Sequence, residues 1–401
     1  MNKSNNNEGI SVREIAALFF KLGWIAFGGP AAHIAMMEEE VVNKRKWMNR
    51  QHFLDLVGAT NLIPGPNSTE MAIHCGYHRG GFAGLVIAGI SFIFPAVFIT
   101  LILAWLYVGY GTLPAVEPLF YGIKPAVLAV ILSAVYRLGK KALKGWQVGV
   151  IGLVVLAAAL WGVSEITAIL AGGLVGMIWL SLLHKFNNND ATFSVAPIYY
   201  GALWGKFKSA VVSSPIILSI TTTTTQISGL LLFWEFLKVG AILFGSGYVL
   251  VAYLDAELVN RLAWLTRPEL LDAIAIGQFT PGPVLSTSTF IGYQIQGFSG
   301  AILATLGIFL PSFLFVLLLN PIVPKLRKSK LTANFLDAVN VSAVAIMIAV
   351  VIKMGGQILI EWQAIVVAAI SIVLVFGVKK LGSGWVIFIG ALLGYGLSFI
   401  G

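Results

Sequence analysis

Apolar residues run through this chain in long blocks separated by short polar stretches. A helix needs about 20 apolar residues to cross a bilayer. Blocks of suitable length fall at 13–29, 81–108, 118–137, 146–163, 166–184, 230–247, 297–320, 335–354, 362–378 and 384–400. The pattern therefore predicts ten membrane-spanning helices. Two further apolar regions, 51–78 and 268–296, are each interrupted by Pro-Gly-Pro. The stretch 185–227 is different in kind. It holds Asn187, Asn188, Asn189 and Asp190, then the run Thr221–Thr225, and reads as a linker. Its apolar part, 209–228, is a weak candidate for an extra span.

The blocks before and after the linker repeat each other. Lys21, Gly23, Phe27 and Gly28 recur 217 residues later as Lys238, Gly240, Phe244 and Gly245. At the same shift Glu40 meets Glu257, Trp47 meets Trp264, Arg50 meets Arg267, Asp55 meets Asp272, and Pro64-Gly65-Pro66 meets Pro281-Gly282-Pro283. The shift then becomes 216, pairing Gly76-Tyr77 with Gly292-Tyr293, Pro95 with Pro311, and Trp146-Gln147 with Trp362-Gln363. Such a register is the signature of tandem duplication. The two repeats cover 11–184 and 228–401, with 185–227 between them.

Charge in the loops orients the repeats. After 118–137 the first half carries Arg137, Lys140, Lys141 and Lys144, whereas the equivalent place in the second half has only Lys353. After 81–108 the pattern reverses. The first half has no basic residue until Lys124, and the second has Lys325, Arg327, Lys328 and Lys330. Between the last two helices the first half has Glu165 and the second has Lys379 and Lys380. Basic loops stay on the cytoplasmic side, so the halves are expected upside down relative to each other, five spans in each. Ten spans put the C-terminus outside. A crossing at 209–228 would instead move the N-terminus inside.

Composition narrows the function. Hydrophobic residues make up 58% of the chain and charged residues 11%, against about 25% charged in soluble domains. Soluble enzymes, nucleic-acid binders and disordered chains are thereby excluded. The net charge of +9 reads as loop charge, with no nucleic-acid partner. The single cysteine, Cys75, and five histidines without metal-ligand spacing point to no metal and no cofactor. Met1–Gly9 is polar, and no cleavage signal follows it. No phosphate-binding glycine loop suggests ATP use. Inverted repeats in a multi-pass chain point to a secondary transporter. In such carriers discontinuous helices meet at the repeat interface near mid-membrane.

The Pro-Gly-Pro segments fit that architecture. Proline lacks an N–H and clashes with the preceding turn, and the residue before it is driven out of the α region. Each segment is expected to be a helix, a break, and a second helix from near Asn67 or Val284. The second helix would present free N–H groups and a partial positive charge to an anion. Ser68, Thr69, Ser286 and Thr287 would add hydroxyls, and Thr280 stands just before the second break. The plainer reading of either segment alone is a kink.

Further candidates accompany them. Phe27-Gly28-Gly29-Pro30 and Phe244-Gly245-Ser246-Gly247 end apolar runs. They read either as breaks lining the same cavity or as plain helix ends with glycine caps. Lys21 and Lys238 lie one to two turns earlier and either serve an anion path or reach toward the interface. Asn67 to Glu70 has the spacing of a capping box. Aligned with Thr287, Glu70 breaks the symmetry and is also a candidate proton-coupling residue. His33, aligned with Leu250, is a packing residue or a second coupling candidate. Glu40 and Glu257 adjoin basic residues and read as interfacial ion pairs.

Taken together, Phe27-Gly28-Gly29-Pro30 with Ala32-His33-Ile34-Ala35, Pro64-Gly65-Pro66, and Thr280-Pro281-Gly282-Pro283 through Phe290-Ile291-Gly292-Tyr293 resemble the chromate ion transporter family, long two-domain type. The resemblance covers nearly the whole chain. It implies efflux of chromate, a divalent tetrahedral oxyanion, across the cell membrane, with sulfate as the obvious competitor. The expected fold is thus an all-α polytopic membrane protein. It has two inverted repeats, with re-entrant helices broken by Pro-Gly-Pro at their interface. Membrane potential would drive export, and proton or anion exchange and a homodimer remain open.

Overall fold

The computed structural model describes residues 12–26, 30–60, 63–110, 117–187, 227–244, 247–319, 330–378 and 381–398. Nearly all of the linker lies outside them, with the extra span at 209–228. So do Phe27, Gly28, Gly29, Gly245, Ser246 and the loop cations Lys325, Arg327, Lys328, Lys379 and Lys380.

Every described element is helical. In the first half α1 is Val12–Ile25, and α2 is Pro30–Glu38, continued by a π-helical turn Glu39–Lys44. Then come α3 Arg50–Thr60, α4 Asn67–Tyr110, α5 Glu117–Ala142, α6 Trp146–Leu160 and α7 Glu165–Asn187. The second half repeats the order. It has α8 Gly229–Ile242, α9 Leu250–Leu254 with its π-helical turn Asp255–Arg261, α10 Arg267–Phe279 and α11 Thr287–Leu319. It closes with α12 Lys330–Ile358, α13 Trp362–Gly377 and α14 Ser383–Leu397. Thus α1 answers α8, and so on to α7 and α14. Even an irregularity recurs: Lys46 and its counterpart Ala263 both hold φ of 51°, uncommon for residues with a Cβ.

Five described segments are long and apolar enough to cross a membrane: Asn67–Tyr110, Tyr121–Ala142, Glu165–Leu183, Val284–Leu318 and Leu331–Ile358. Trp146–Leu160, Trp362–Gly377 and Ser383–Leu397 are apolar but shorter. Large apolar side chains such as Phe94, Phe98, Trp105, Leu306 and Leu314 face outward, as a lipid-facing surface requires. The chain is a multi-pass membrane protein.

Two of the helices fold back on themselves. Gly81 (φ 58°, ψ −145°) turns α4 sharply, and Gly297 (φ 61°, ψ −147°) turns α11 at the same place. Only glycine adopts that backbone without cost. The limbs then lie side by side. Gly76 abuts Gly84 and Ala88, and Gly292 abuts Gly300 and Ala304, too closely for any larger side chain. The first limb of each hairpin is the helix that follows Pro-Gly-Pro. The second limb is the long apolar helix at 81–108 or 297–320.

Packing interleaves the halves. One group of contacts joins α1 to α4, α8 to α11, and α4 to α11. Another sets α6 and α7 of the first half on α12 of the second, and α13 and α14 on α5. Small residues permit the close approach. Gly172 meets Ser342 and Gly176 meets Ala338 on α12, while Gly390 meets Ala126 on α5. Without a hydrophobic drive between helices in lipid, such small-residue seams carry the association. The helices α5 and α12 are also in contact and run antiparallel. Lys144, just past the end of α5, pairs with Asp337 near the start of α12 at 2.6 Å. At the other end Lys353 of α12 pairs with Glu165 at the start of α7 at 3.3 Å.

Candidate functional site

The Pro-Gly-Pro segments break their helices as proline chemistry demands. Helix α3 stops at Thr60, the chain turns through Pro64-Gly65-Pro66, and α4 starts at Asn67. Helix α10 stops at Phe279, and the chain turns through Pro281-Gly282-Pro283. It then makes one 3₁₀ turn, Val284–Ser286, before α11. Gly65 and Gly282 sit at φ of 137° and 92°, which residues with a Cβ avoid.

Each break is held by the opposite half. The Gly65 N–H donates to the Leu243 carbonyl at 2.6 Å, and the Gly282 N–H donates to the Ala26 carbonyl at 2.9 Å. Leu243 and Ala26 are counterparts, each just past the end of a short first helix, α8 or α1. The two bonds are therefore images of one another under the repeat. They set both breaks at the interface between the halves. Gly23 of α1 in turn lies against Pro95 and the Phe92 carbonyl of α4.

The side chains around the two breaks differ. At the second, Thr100 reaches across from α4, its hydroxyl 3.3 Å from that of Thr280 and 3.2 Å from that of Ser286. Thr280 also donates to the Ile276 carbonyl at 2.9 Å. Thr100 and Ser286 are fully buried and Thr280 nearly so. Thr287 turns back to the Val284 carbonyl. At the first break the position answering Thr280 is Ile63, and the one answering Thr100 is Val316; both are buried and apolar. There stand instead Glu70, Thr69 and, from α11, Ser312. All three are buried, and neither the Glu70 carboxylate nor the Thr69 and Ser312 hydroxyls bond to any described residue. Both Glu70 and Ser312 lie against Gly65; a methyl on Gly65 would collide with the carboxylate and stand 2.7 Å from the Ser312 oxygen.

Two sequence expectations about Glu70 change here. The capping box with Asn67 does not form, because no donor reaches the carboxylate. A true capping box is found elsewhere, between Thr266 and Glu269. Its counterpart also moves from Thr287 to Ser286. The Glu70 N–H bonds the Pro66 carbonyl and the Ser286 N–H bonds the Pro283 carbonyl. The tighter 3₁₀ turn in the second half absorbs the missing residue.

The remaining candidates divide. Pro30 opens α2, and His33 is buried, edge-on to Phe92 at 5.8 Å and beside the Ala26 carbonyl. Ser68 is buried in the first turn of α4. Lys21 points to Glu40 at 3.4 Å, which also holds Lys44 at 3.2 Å. Lys238 pairs with Glu235 at 2.5 Å, and Arg261 bridges Glu235 and Glu257. Neither lysine joins the buried groups at the breaks. Burial pushes the Glu40 carboxyl up, but Lys44 and Lys21 outweigh it and hold it below the ordinary value. Gly28, Gly29, Gly245 and Ser246 lie outside the described residues.

Sequence reasoning passed over Thr100 and Ser312. Each is a hydroxyl inside an apolar helix, near Pro95 or beside Pro311. It also passed over Asp272, to which Tyr107 donates at 2.8 Å with Lys124 at 3.9 Å. Lys124 and Arg267 line a cavity of about 280 Å³ with Tyr121, Leu271 and Glu361.

Comparison with known proteins matches the same duplicated pattern. A family model described as chromate transporter matches residues 13–177 and again 230–395. A probable chromate transport protein of Synechococcus elongatus is 29% identical over 389 residues, covering 96% of this chain and 95% of that protein. A chromate transport protein of Cupriavidus metallidurans is 28% identical over 389 residues, covering 96% and 92%. One from Pseudomonas aeruginosa is 31% identical over 350 residues, covering 86% and 82%. No solved structure matches.

Proposed function

The chain belongs to the chromate transporter family, and on that premise we propose that it exports chromate from the cytoplasm through the interface between its halves. A chromate transport role follows from the family, which is one of transporters and not of enzymes. The observation that carries the route is the hydroxyl group of three, Thr100 from one half with Thr280 and Ser286 from the other. Hydroxyls donate to an oxyanion without a fixed positive charge, so a dianion is held and still released. The 3₁₀ turn at Val284–Ser286, continued by α11, adds a favourable partial positive charge.

The halves act as inverted repeats, with α3, the first limb of α4, α10 and the first limb of α11 as re-entrant elements. Antiparallel packing of α5 on its counterpart α12 supports this reading, as does the alternation of loop charge. Irregular backbone at membrane depth survives only under cover of protein or a water-filled cavity. The Gly65 and Gly282 hydrogen bonds supply that cover. Lys21 and Lys238 serve as ends of interfacial ion pairs.

Driving force follows from charge. Moving one charge across 100 mV is worth about 2.3 kcal/mol. Expelling a dianion from a negative-inside cell releases about 4.6 kcal/mol per 100 mV. The test is flux in proteoliposomes holding chromate, under an imposed potential, with sulfate as competitor. Potential-dependent chromate movement is expected. Saturable movement of sulfate with no response to chromate would overturn the substrate assignment.

A further inference from the structure

We infer that Glu70, with the hydroxyl of Ser312, forms a site for a monovalent cation, a proton or Na⁺, at the first Pro-Gly-Pro break. The evidence begins with how this fold treats its other buried acids. Among the described residues, buried Glu40, Glu165, Glu235, Asp255, Glu257 and Asp272 each have a lysine or arginine nitrogen within 4 Å. Glu70 alone has none, and neither of its oxygens meets a donor. An isolated carboxylate in a dry interior is too costly to persist as such. It must be discharged, by a proton or by an ion it can coordinate.

The surroundings suit a hard cation. Ser312 brings a hydroxyl oxygen that is also buried and unpartnered and lies with the Glu70 carboxylate against Gly65, and oxygen ligands are what a hard cation takes. Ser312 comes from the second half and Glu70 from the first, so the site bridges the halves at Gly65. Of the charged and titratable groups on α1, α2 and α3, which also pack on α4, Glu14, Lys21, Glu38 and Arg50 are held in ion pairs with residues other than Glu70, and Arg13, His33, His52 and Asp55 complete the set. Neither the second limb of α4 nor α11 contains Asp, Glu, Lys, Arg or His. On α8, Glu235 and Lys238 pair with each other. On α4 itself His74 lies one turn further on and is buried.

A cation here removes a negative charge from the interface that receives the dianion. Cation and dianion binding therefore favour each other, and the coupling is reciprocal. This step rests on the transport reading above; the cation site itself does not.

Labelling of the purified full-length protein with dicyclohexylcarbodiimide, which attacks buried protonated carboxyls, tests the site without any anion. Glu70 should be labelled, less as pH rises, and at fixed pH less as Na⁺ rises if Na⁺ is the occupant. Ser312→Ala should shift the cation midpoint at least threefold, and Glu70→Gln should abolish the label. Labelling of Glu70 indifferent to both pH and Na⁺ would overturn the site. Chromate affinity, followed in parallel, should rise about tenfold on cation binding and lose that dependence in Glu70→Gln. If the wild type binds no chromate under any condition, the transport reading fails, and the labelling alone still decides the cation site.

Discussion

The two Pro-Gly-Pro breaks have one backbone and two chemistries. Both turn on a glycine with positive φ, and both are pinned by an N–H donated to the chain end beyond a short helix of the opposite half. Around the second break the side chains are hydroxyls. Around the first they are a lone carboxylate, two unbonded hydroxyls and an apolar wall of Ile63 and Val316. Duplication supplied the frame twice, and substitution at a few facing positions separated the roles. Glu70 and Ser286 are the clearest case, since each N–H bonds the last proline of its break and one side chain is a carboxyl where the other is a hydroxyl.

The comparison breaks most severely at the shared frame. Gly65→Leu and Gly282→Leu should each abolish chromate flux in proteoliposomes while the protein still elutes as a folded, monodisperse species. A leucine meets the wrong φ at both sites, and at Gly65 it also meets Glu70 and Ser312. Wild-type flux in both variants would remove the breaks from the pathway.

A smaller effect should fall on one break only. Thr100→Val keeps the shape and removes the hydroxyl. It should weaken chromate binding about tenfold, the cost of roughly one hydrogen bond to a charged group. The mirror variant Val316→Ala should leave affinity within about twofold by the same reasoning. Equal losses measured by calorimetry would mean the two breaks share the anion.

The smallest effect belongs to the lysines. Lys238→Gln leaves Glu235 still bonded to Arg261. Lys21→Gln leaves Glu40 still bonded to Lys44. Each lysine is more than a third exposed and each buried acid keeps a second cation, so chromate affinity should change less than about fivefold in either. A larger loss would return Lys21 or Lys238 to the anion path. Orientation has its own check. Cysteines placed in 137–144 and 325–330 should both label from the cytoplasmic side, and labelling from opposite faces would end the inverted-repeat reading.

Much of the frame was legible because it depends on local chemistry. The Pro-Gly-Pro triplet cannot continue a helix, so the start of α4 at Asn67 follows from the residue types, whereas Pro95, Pro125 and Pro311 are carried inside helices and the turns after Gly80 and Gln296 emerge only in the structure. Apolar length located the long helices to within a few residues. Thr100 and Ser312 were not legible, because a single hydroxyl in an apolar helix commonly bonds its own backbone, as Ser342 does here. Thr100 meets Thr280 and Ser286 because α4 crosses the second break, and Ser312 comes to lie against Gly65 because α11 crosses the first. The equivalence of Glu70 with Ser286 was hidden for another reason. A one-residue gap can be closed at any point in a sequence, and the 3₁₀ turn decides where.

The interleaved packing has a consequence for synthesis. When the ribosome has made only the first 187 residues, α6 and α7 have no α12 to rest on, and α5 has neither α13 nor α14. The small-residue seams of Gly172, Gly176 and Ala126 then face lipid or insertion machinery. Neither repeat can complete its packing alone and wait for the other. Final assembly must follow translation of α14, and two separately expressed halves should assemble by exchanging these arms.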